Sequence, residues 1–262
     1  MMRILFLGDV VGKPGRQAIR SLLPRLIHRE GLSLVIANCE NVAAGAGVDP
    51  HGALDLLDAG VDVLTSGNHV WRRKEVIEFI DSDRRLVRPA NFPAAVPGRG
   101  WTVSETADGT PVGVVNLIGR VFMDSVDCPF QTIEMLLPEL RARARVIIVD
   151  MHGEATSEKG AMGWFLAGKV SAVLGSHTHV QTADERVLPG GTAYITDVGM
   201  CGPVDSVIGV KKELVVRRFL THMPVKFEVA GGPVIVQGAL VDVDPENGKA
   251  DGIRRFQQVG EG

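Results

Sequence analysis

Residues Met2–Asp9 read MRILFLGD. The run Met2–Leu7 is almost unbroken in its apolar character and stops abruptly at Gly8-Asp9. A strand with one wet face alternates apolar and polar residues. A solid run marks a strand covered on both faces, the habit of a parallel sheet flanked by helices. The apolar part is too short for a membrane span or a secretory leader, so it reads as a buried strand. The chain downstream keeps the same rhythm. Gly15–Glu30 sets Ile19, Leu22, Leu23, Leu26 and Ile27 on one helical face. Leu32–Ala37 is a second strand, His51–Ala59 a short helix and Val61–Thr65 a third strand. Arg73–Ile80 is a further helix with Val76, Ile77 and Ile80 turned inward. This alternation predicts a parallel sheet joined by right-handed crossovers.

The middle of the chain changes texture. Trp101–Glu105 and Val112–Leu117 flank Asp108-Gly109, a hairpin signal. Gln131–Arg143 and Glu158–Leu166 then read as helices, each followed by a strand, Val146–Val149 and Val170–Leu174. The last third carries the β-rich runs Thr192–Thr196, Val225–Val229 and Val234–Val243. The polar tail after Pro245 is expected to be loosely held. No linker or internal repeat stands out. The expected architecture is therefore one domain over residues 1–262, an α/β sandwich of two mixed β-sheets flanked by helices.

Composition narrows the function classes. The chain has 262 residues, 45% hydrophobic and 23% charged, enough for one large core and incompatible with general disorder. A net charge of -3 supplies no bulk drive toward nucleic acid or an anionic membrane, so neither is expected as the principal partner. Cys39, Cys128 and Cys201 are odd in number and follow no disulfide or metal spacing, which makes a reducing cytoplasm the expected location. Self-association is expected only from the general prevalence of symmetric homo-oligomers.

The chemistry lies in the residues just past each strand. Gly8-Asp9 comes after the first, Asn38-Cys39-Glu40-Asn41 after the second and Ser66-Gly67-Asn68-His69 after the third. Asp150-Met151-His152-Gly153 and Gly175-Ser176-His177-Thr178-His179 come after two later ones. Each segment taken alone is an ordinary loop. Together, four of the 7 histidines sit directly after predicted strands, beside carboxylates and amides. Parallel strands would bring these groups to one sheet edge, where open α/β sheets bind ligands. The set mixes nitrogen and oxygen donors with no thiolate, which favours Mn, Fe or Zn over Ca. His28, His51 and His222 lie outside the pattern.

The order Asp, Gly-Asn-His, a lone His and a late His-x-His resembles the calcineurin-like metallophosphoesterases. The chain departs from the usual members in several places. Gly8-Asp9-Val10-Val11 lacks the His of the first motif, and Glu40-Asn41 stands where a bridging Asp is usual. Val70 replaces the acid after His69, and Ser176 is inserted before His177. These departures are similar to those of a narrower branch, the YmdB-like phosphodiesterases. GDVVGKPGR (8–16), ANCENVAAG (37–45), TSGNHVW (65–71), DMHGEATSEK (150–159) and GSHTHVQTADE (175–185) carry that likeness, which runs from the N-terminus to about residue 220.

The resemblance implies a metallophosphoesterase-type sandwich and two divalent ions, Fe or Mn ahead of Zn. Asp9, Glu40, Asn41 and His179 would hold one ion; Glu40, Asn68, His152 and His177 would hold the other, with Glu40 bridging. His69 would stay off the metals as the general acid. The implied reaction is hydrolysis of a small phosphodiester by a metal-bound hydroxide. By resemblance the substrates are cyclic nucleotides, 2′,3′-cyclic or 3′,5′-cyclic AMP. Two alternatives stay open, a phosphomonoesterase or nucleotidase and a metal-stabilised regulatory binding protein.

Other signals carry less. Gly8–Pro14 is superficially similar to a phosphate loop, but its first Gly lies too close to Lys13, and Pro14 takes the Ser/Thr place. Gly45-Ala46-Gly47 is expected to shape the ligand-bearing loop or border the substrate pocket. Arg72, Arg73 and Lys74 read first as a solvated helix face, with a phosphate or ribose contact as the alternative; Glu154 and Lys159 could line the mouth; Phe92, Phe122 and Trp164 read first as core residues, with base stacking as the alternative.

Overall fold

A solid apolar strand needs cover on both faces, and the fold supplies it with four layers. The computed structural model describes residues 1–260, and the last two residues of the polar tail lie outside the described residues. In the first sheet β1 (Met2–Leu7), β3 (Leu34–Asn38) and β4 (Val63–Thr65) are parallel neighbours. β2 (Asp9–Val10) lies beyond Gly8 and pairs with β11 (Met200–Pro203). β12 (Val234–Val243) runs antiparallel to β1, and β13 (Ala250–Gly260) runs antiparallel to β12. The second sheet has the order β5 (Trp101–Glu105), β6 (Pro111–Ile118), β7 (Val146–His152), β8 (Ala172–Ser176), β10 (Thr192–Ile195) and β9 (Arg186–Leu188). Its four central strands are parallel and its two edge strands antiparallel.

Period-2 alternation sorts each strand's side chains between two cores. From β1, Ile4 and Phe6 enter the core between the sheets, where they meet Val114 of β6, Ile148 of β7 and Leu174 of β8. Leu5 and Leu7 point the other way, onto Ile19, Leu23 and Leu26 of α1 (Gly12–Glu30), Leu56 of α2 (Pro50–Asp58) and Ile80 of α3 (Val76–Ser82). The outer face of the second sheet packs on α4 (Pro129–Arg143) and α5 (Thr156–Leu166) through Ile133, Leu140, Met162 and Leu166. The expected fold class, two mixed sheets flanked by helices, is therefore the one observed. No helix among the described residues is long and apolar enough to cross a membrane. The cysteines of the described residues are all free.

Several expectations need correction. Ile77 faces outward, 43% exposed, while Val76 and Ile80 are buried; α3 starts at Val76, after a separate turn at Val70–Arg72, rather than at Arg73. Val225–Val229 forms no strand: Val229 makes only an isolated bridge to Val210. The polar tail is not loose, because β13 pairs along the whole of β12 and seats Phe256 in the core. An edge strand with one wet face needs few apolar residues, which is why its sequence looks like a tail. β9, β11 and α6 (Lys212–Thr221) lie in stretches where no element was expected. β7 also extends to His152 and β8 to Ser176, so these residues end strands rather than come after them.

The Phe256→Ala variant is expected to cost about 3–5 kcal/mol, the range for a large aromatic removed from a core. Urea unfolding measures it. A midpoint within error of the unmodified chain would show that the tail adds nothing to the core.

Candidate active site

Parallel strands share a direction, so their carboxyl ends share an edge, and the two sheets bring theirs together. Asp9 stands in β2, Glu40 and Asn41 follow β3, and Asn68 and His69 follow β4. His152 ends β7, while His177 and His179 follow β8. The structure gathers all eight of these side chains. Glu40 lies at their centre: Oε2 is 3.3 Å from His152 Nε2, and Oε1 is 3.2 Å from both Asn41 Nδ2 and His69 Nδ1. His152 Nε2 also faces Asn68 Oδ1 and His177 Nδ1, each at 3.1 Å. On the other side of the cluster Asp9 Oδ1 lies 3.8 Å from His179 Nε2.

Each of the three ligand-type histidines has its outward nitrogen occupied. His152 Nδ1 donates to Ser176 Oγ at 2.9 Å, and that hydroxyl donates to Asp150 Oδ1 at 2.6 Å. His177 Nε2 pairs with Glu154 Oε2 at 3.1 Å. His179 Nδ1 donates to the Ile208 carbonyl at 2.9 Å. Outer partners of this kind orient each ring with its other nitrogen turned into the cluster, where it could ligate a metal once deprotonated. His69 is held differently, since its Nδ1 donates to Asn41 Oδ1 at 2.8 Å and its backbone N–H donates to Glu40 Oε2 at 3.1 Å. The Asn41 amide thus turns its oxygen toward His69 and its nitrogen toward Glu40 and His179.

The electrostatics of the cluster call for positive charge. Asp9, Glu40 and Asp150 are almost completely buried. Burial works to raise Glu40, yet His152 and His69 outweigh it and hold the carboxylate well below its usual range. Burial alone would lower His152, but Glu40, Asp9 and Asp150 push it up to about 9. Burial, with His152 beside it, pulls His177 down to about 3. Asp9 Oδ1 is buried with no hydrogen-bond donor. Such an atom is costly in a core without a cation or a donor. Glu40, His152 and His177 each offer one ligand atom, all within 4.8 Å of one another. Gly67 makes this approach possible: a Cβ there would fall 2.2 Å from His152 Nε2 and 2.3 Å from Glu40 Oε2. The nitrogen and oxygen donors, the unpaired carboxylate oxygen and the close approach all fit a divalent ion.

Beneath the donors lies a polar layer whose roles the sequence did not disclose. Asp150 Oδ2 accepts from Thr65 Oγ1 at 2.6 Å and from Asn38 Nδ2 at 3.1 Å. Lys159, expected at the mouth, is instead fully buried, and its Nζ donates to Asp197 Oδ2 at 2.7 Å. Asp197 also accepts from the backbone N–H of Thr178, between His177 and His179, at 3.0 Å. Asp150 and Ser176 stand inside the motifs, but nothing local marks them as partners of His152.

An open cleft of about 760 Å3 reaches this cluster. Arg72, Glu154, Gly45 and Ala46 border it, as the sequence suggested. Arg73 and Lys74 do not line it, in keeping with a solvated face, and Phe92, Phe122 and Trp164 do not line it either; the core reading fits Phe92 but not the exposed Phe122 and Trp164. Phe92 packs on Trp71 at 6.3 Å between centroids, Phe122 is 89% exposed, and Trp164 lies under Arg186. The aromatic residues that do line the cleft are Phe219 and Phe227, in a stretch without motif signals.

Comparison with known proteins agrees with this geometry. A family profile described as "YmdB-like protein" matches residues 5–256. A Bacillus subtilis (strain 168) protein named 2′,3′-cyclic-nucleotide 2′-phosphodiesterase is 47% identical over 255 residues, covering 97% of this chain and 96% of that protein. A crystal structure from Mycoplasma pneumoniae, described as a novel phosphatase, superposes with a TM-score of 0.92 at 36% identity, over 99% of this chain and 94% of that one. The calcineurin-like phosphoesterase YfkN of Bacillus subtilis, at 11% identity and TM-score 0.54 over 99% of this chain and 90% of that one, shares the fold. The chain belongs to the YmdB-like family and has the calcineurin-like phosphoesterase fold.

Proposed function

We propose that this chain is a dinuclear metal-dependent phosphodiesterase acting on cyclic nucleotides, with 2′,3′-cyclic and 3′,5′-cyclic AMP as the leading substrates. One observation carries the reading: the two oxygens of the buried Glu40 carboxylate face different neighbours, Oε2 toward His152 and Oε1 toward Asn41. Asn68, His152 and His177 would complete one metal site with Glu40, and Asp9, Asn41 and His179 the other. Asn41 reaches this role after a half-turn of its amide, which would present Oδ1 to the ion and Nδ2 to His69. Fe or Mn suits the donor set, with Zn as the third choice. When bound, two such ions supply charge neutralisation at the phosphate and an activated water.

The protein's own residues do the rest. The imidazole Nδ1 of His69 is engaged by Asn41 and Glu40, so Nε2 is the atom that would pass a proton to the leaving oxygen. Val70, at the position where an acid is usual, is buried; orientation of His69 falls to its neighbours instead. Arg72, at the cleft, would meet substrate phosphate or ribose. The 47%-identical Bacillus subtilis relative bears a cyclic-nucleotide phosphodiesterase name, which supports a small phosphodiester as substrate. Because the donors come from both sheets, residues 1–262 would act as one domain. The three unpaired cysteines suit a reducing cytoplasm.

The test is a paired assay on protein stripped of metal and reloaded with Mn, comparing bis-p-nitrophenyl phosphate with p-nitrophenyl phosphate. A strong diester preference is expected. The Glu40→Gln variant should keep its circular dichroism yet lose activity by more than about 100-fold, beyond the range of losses typical of outer hydrogen-bond partners. The His69→Ala variant should lose about 10²–10⁴-fold, the range of a general acid. A monoester preference would favour a phosphatase, and near-normal turnover by metal-loaded Glu40→Gln would remove the bridging role. The Ser176→Ala variant should bind Mn about 10–100-fold more weakly in calorimetry while staying folded, through loss of the partner of His152. Unchanged affinity would show that the hydroxyl does not orient that ring.

A further inference from the structure

The cleft that holds Glu40, His69, His177 and His179 has a second, apolar part. Ile208, Val210, Val215, Phe219, Phe227 and Val229, all from one stretch of chain, line it. Within that stretch Ile208 has φ 48, a left-handed conformation that a β-branched residue rarely adopts. The carbonyl of this strained residue is the acceptor for His179 Nδ1. Strain held in place by its surroundings is characteristic of functional sites. Here it sits where the apolar wall joins a histidine of the cluster.

Burial sets the wall apart from ordinary surface. In helix α6 only Val215 is buried. Phe219 is 76% and Phe227 47% exposed. Exposed apolar residues gathered beside a polar site mark a place for a ligand or partner. The neighbouring charges say which ligand. Arg218 adjoins Phe219 on α6, and Arg72 comes to the same cleft from the His69 segment. A ligand that is anionic at one end and flat and apolar at the other would match the donor cluster, the guanidinium groups and the phenyl faces in turn. A cleft of about 760 Å3 has room for a nucleoside phosphate.

We propose that this wall is the nucleobase subsite, with Phe219 and Phe227 offering the faces on which the base stacks and Arg218 lining the same cleft. The inference rests on the phosphodiesterase reading and adds to it where specificity for a nucleoside, rather than for any diester, arises. Ile208 couples the wall to His179, so the segment that holds the base also helps to orient the cluster.

The experiment compares the unmodified chain with Phe219→Ala, Phe227→Ala and the double variant. Two Mn-dependent substrates are used, 2′,3′-cyclic AMP and ribose 2,3-cyclic phosphate, which carries the same diester without a base. Calorimetry measures 3′-AMP against ribose 3-phosphate. The ratio of kcat/KM for the base-bearing over the base-free diester should fall roughly tenfold or more in the double variant, mainly through KM, the scale of base–aromatic stacking. The calorimetric preference for 3′-AMP should shrink by a similar factor, and Phe219→Trp should preserve both. An unchanged ratio and preference overturns the proposal, including the case where the variants alter only the assembly mass, since the wall would then cover a second copy of the chain. If the unmodified chain cleaves neither diester, the phosphodiesterase reading falls, and the calorimetric preference alone decides whether a base binds here.

Discussion

The buried carboxylate of Asp150 is the constraint on which the site depends. One of its oxygens accepts from Thr65 and Asn38 in the first sheet, and the other from Ser176 in the second. A buried charge without such bonds would be expensive, so these donors hold it in place and it holds them. The two sheets are joined elsewhere mainly by apolar packing, which is tolerant of small sliding movements. This polar junction is directional. It sets the relative position of the strand ends just below the donor cluster.

From Asp150 the order passes outward to the histidines. Ser176 transmits it to His152, Glu154 faces His177, and the Ile208 carbonyl faces His179. The backbone of His177 and His179 is itself strained, with φ 102 and φ 64. The Lys159–Asp197 pair holds this loop through the Thr178 N–H. Burial of both charged groups excludes water from the pair, so loop position and ion pairing depend on each other. Preorganisation of this kind lets a site hold its donors together despite their mutual repulsion.

Much of the fold was legible in the chain. The bounds of Met2–Leu7, Trp101–Glu105 and Val234–Val243 match the observed strands, because apolar runs and a hairpin turn are local signals. The gathering of Asp9, Glu40, His152, His177 and His179 at one edge was legible too, since parallel strands share a direction. β13 was not, because an edge strand with a wet face looks like a polar tail. α6 was not read either, although Val215, Val216, Phe219 and Leu220 recur at helical spacing; that Phe219 and Leu220 stay exposed is decided by the tertiary structure.

The sequence by itself determined which side chains gather near the carboxyl ends of the strands, the covered character of the central strands, and the donor types, nitrogen and oxygen without sulfur. These depend on neighbours a few positions apart, where periodicity and turn chemistry act. Only the tertiary structure decided which atoms of those side chains face inward, that Asn41 steadies His69 in place of an acid at Val70, and that Phe219 and Phe227 line the cleft. Asn38 meets Asp150 across 112 residues and Asn41 meets His179 across 138. Hydrogen bonds and burial at that separation exist only once the two sheets have closed on each other.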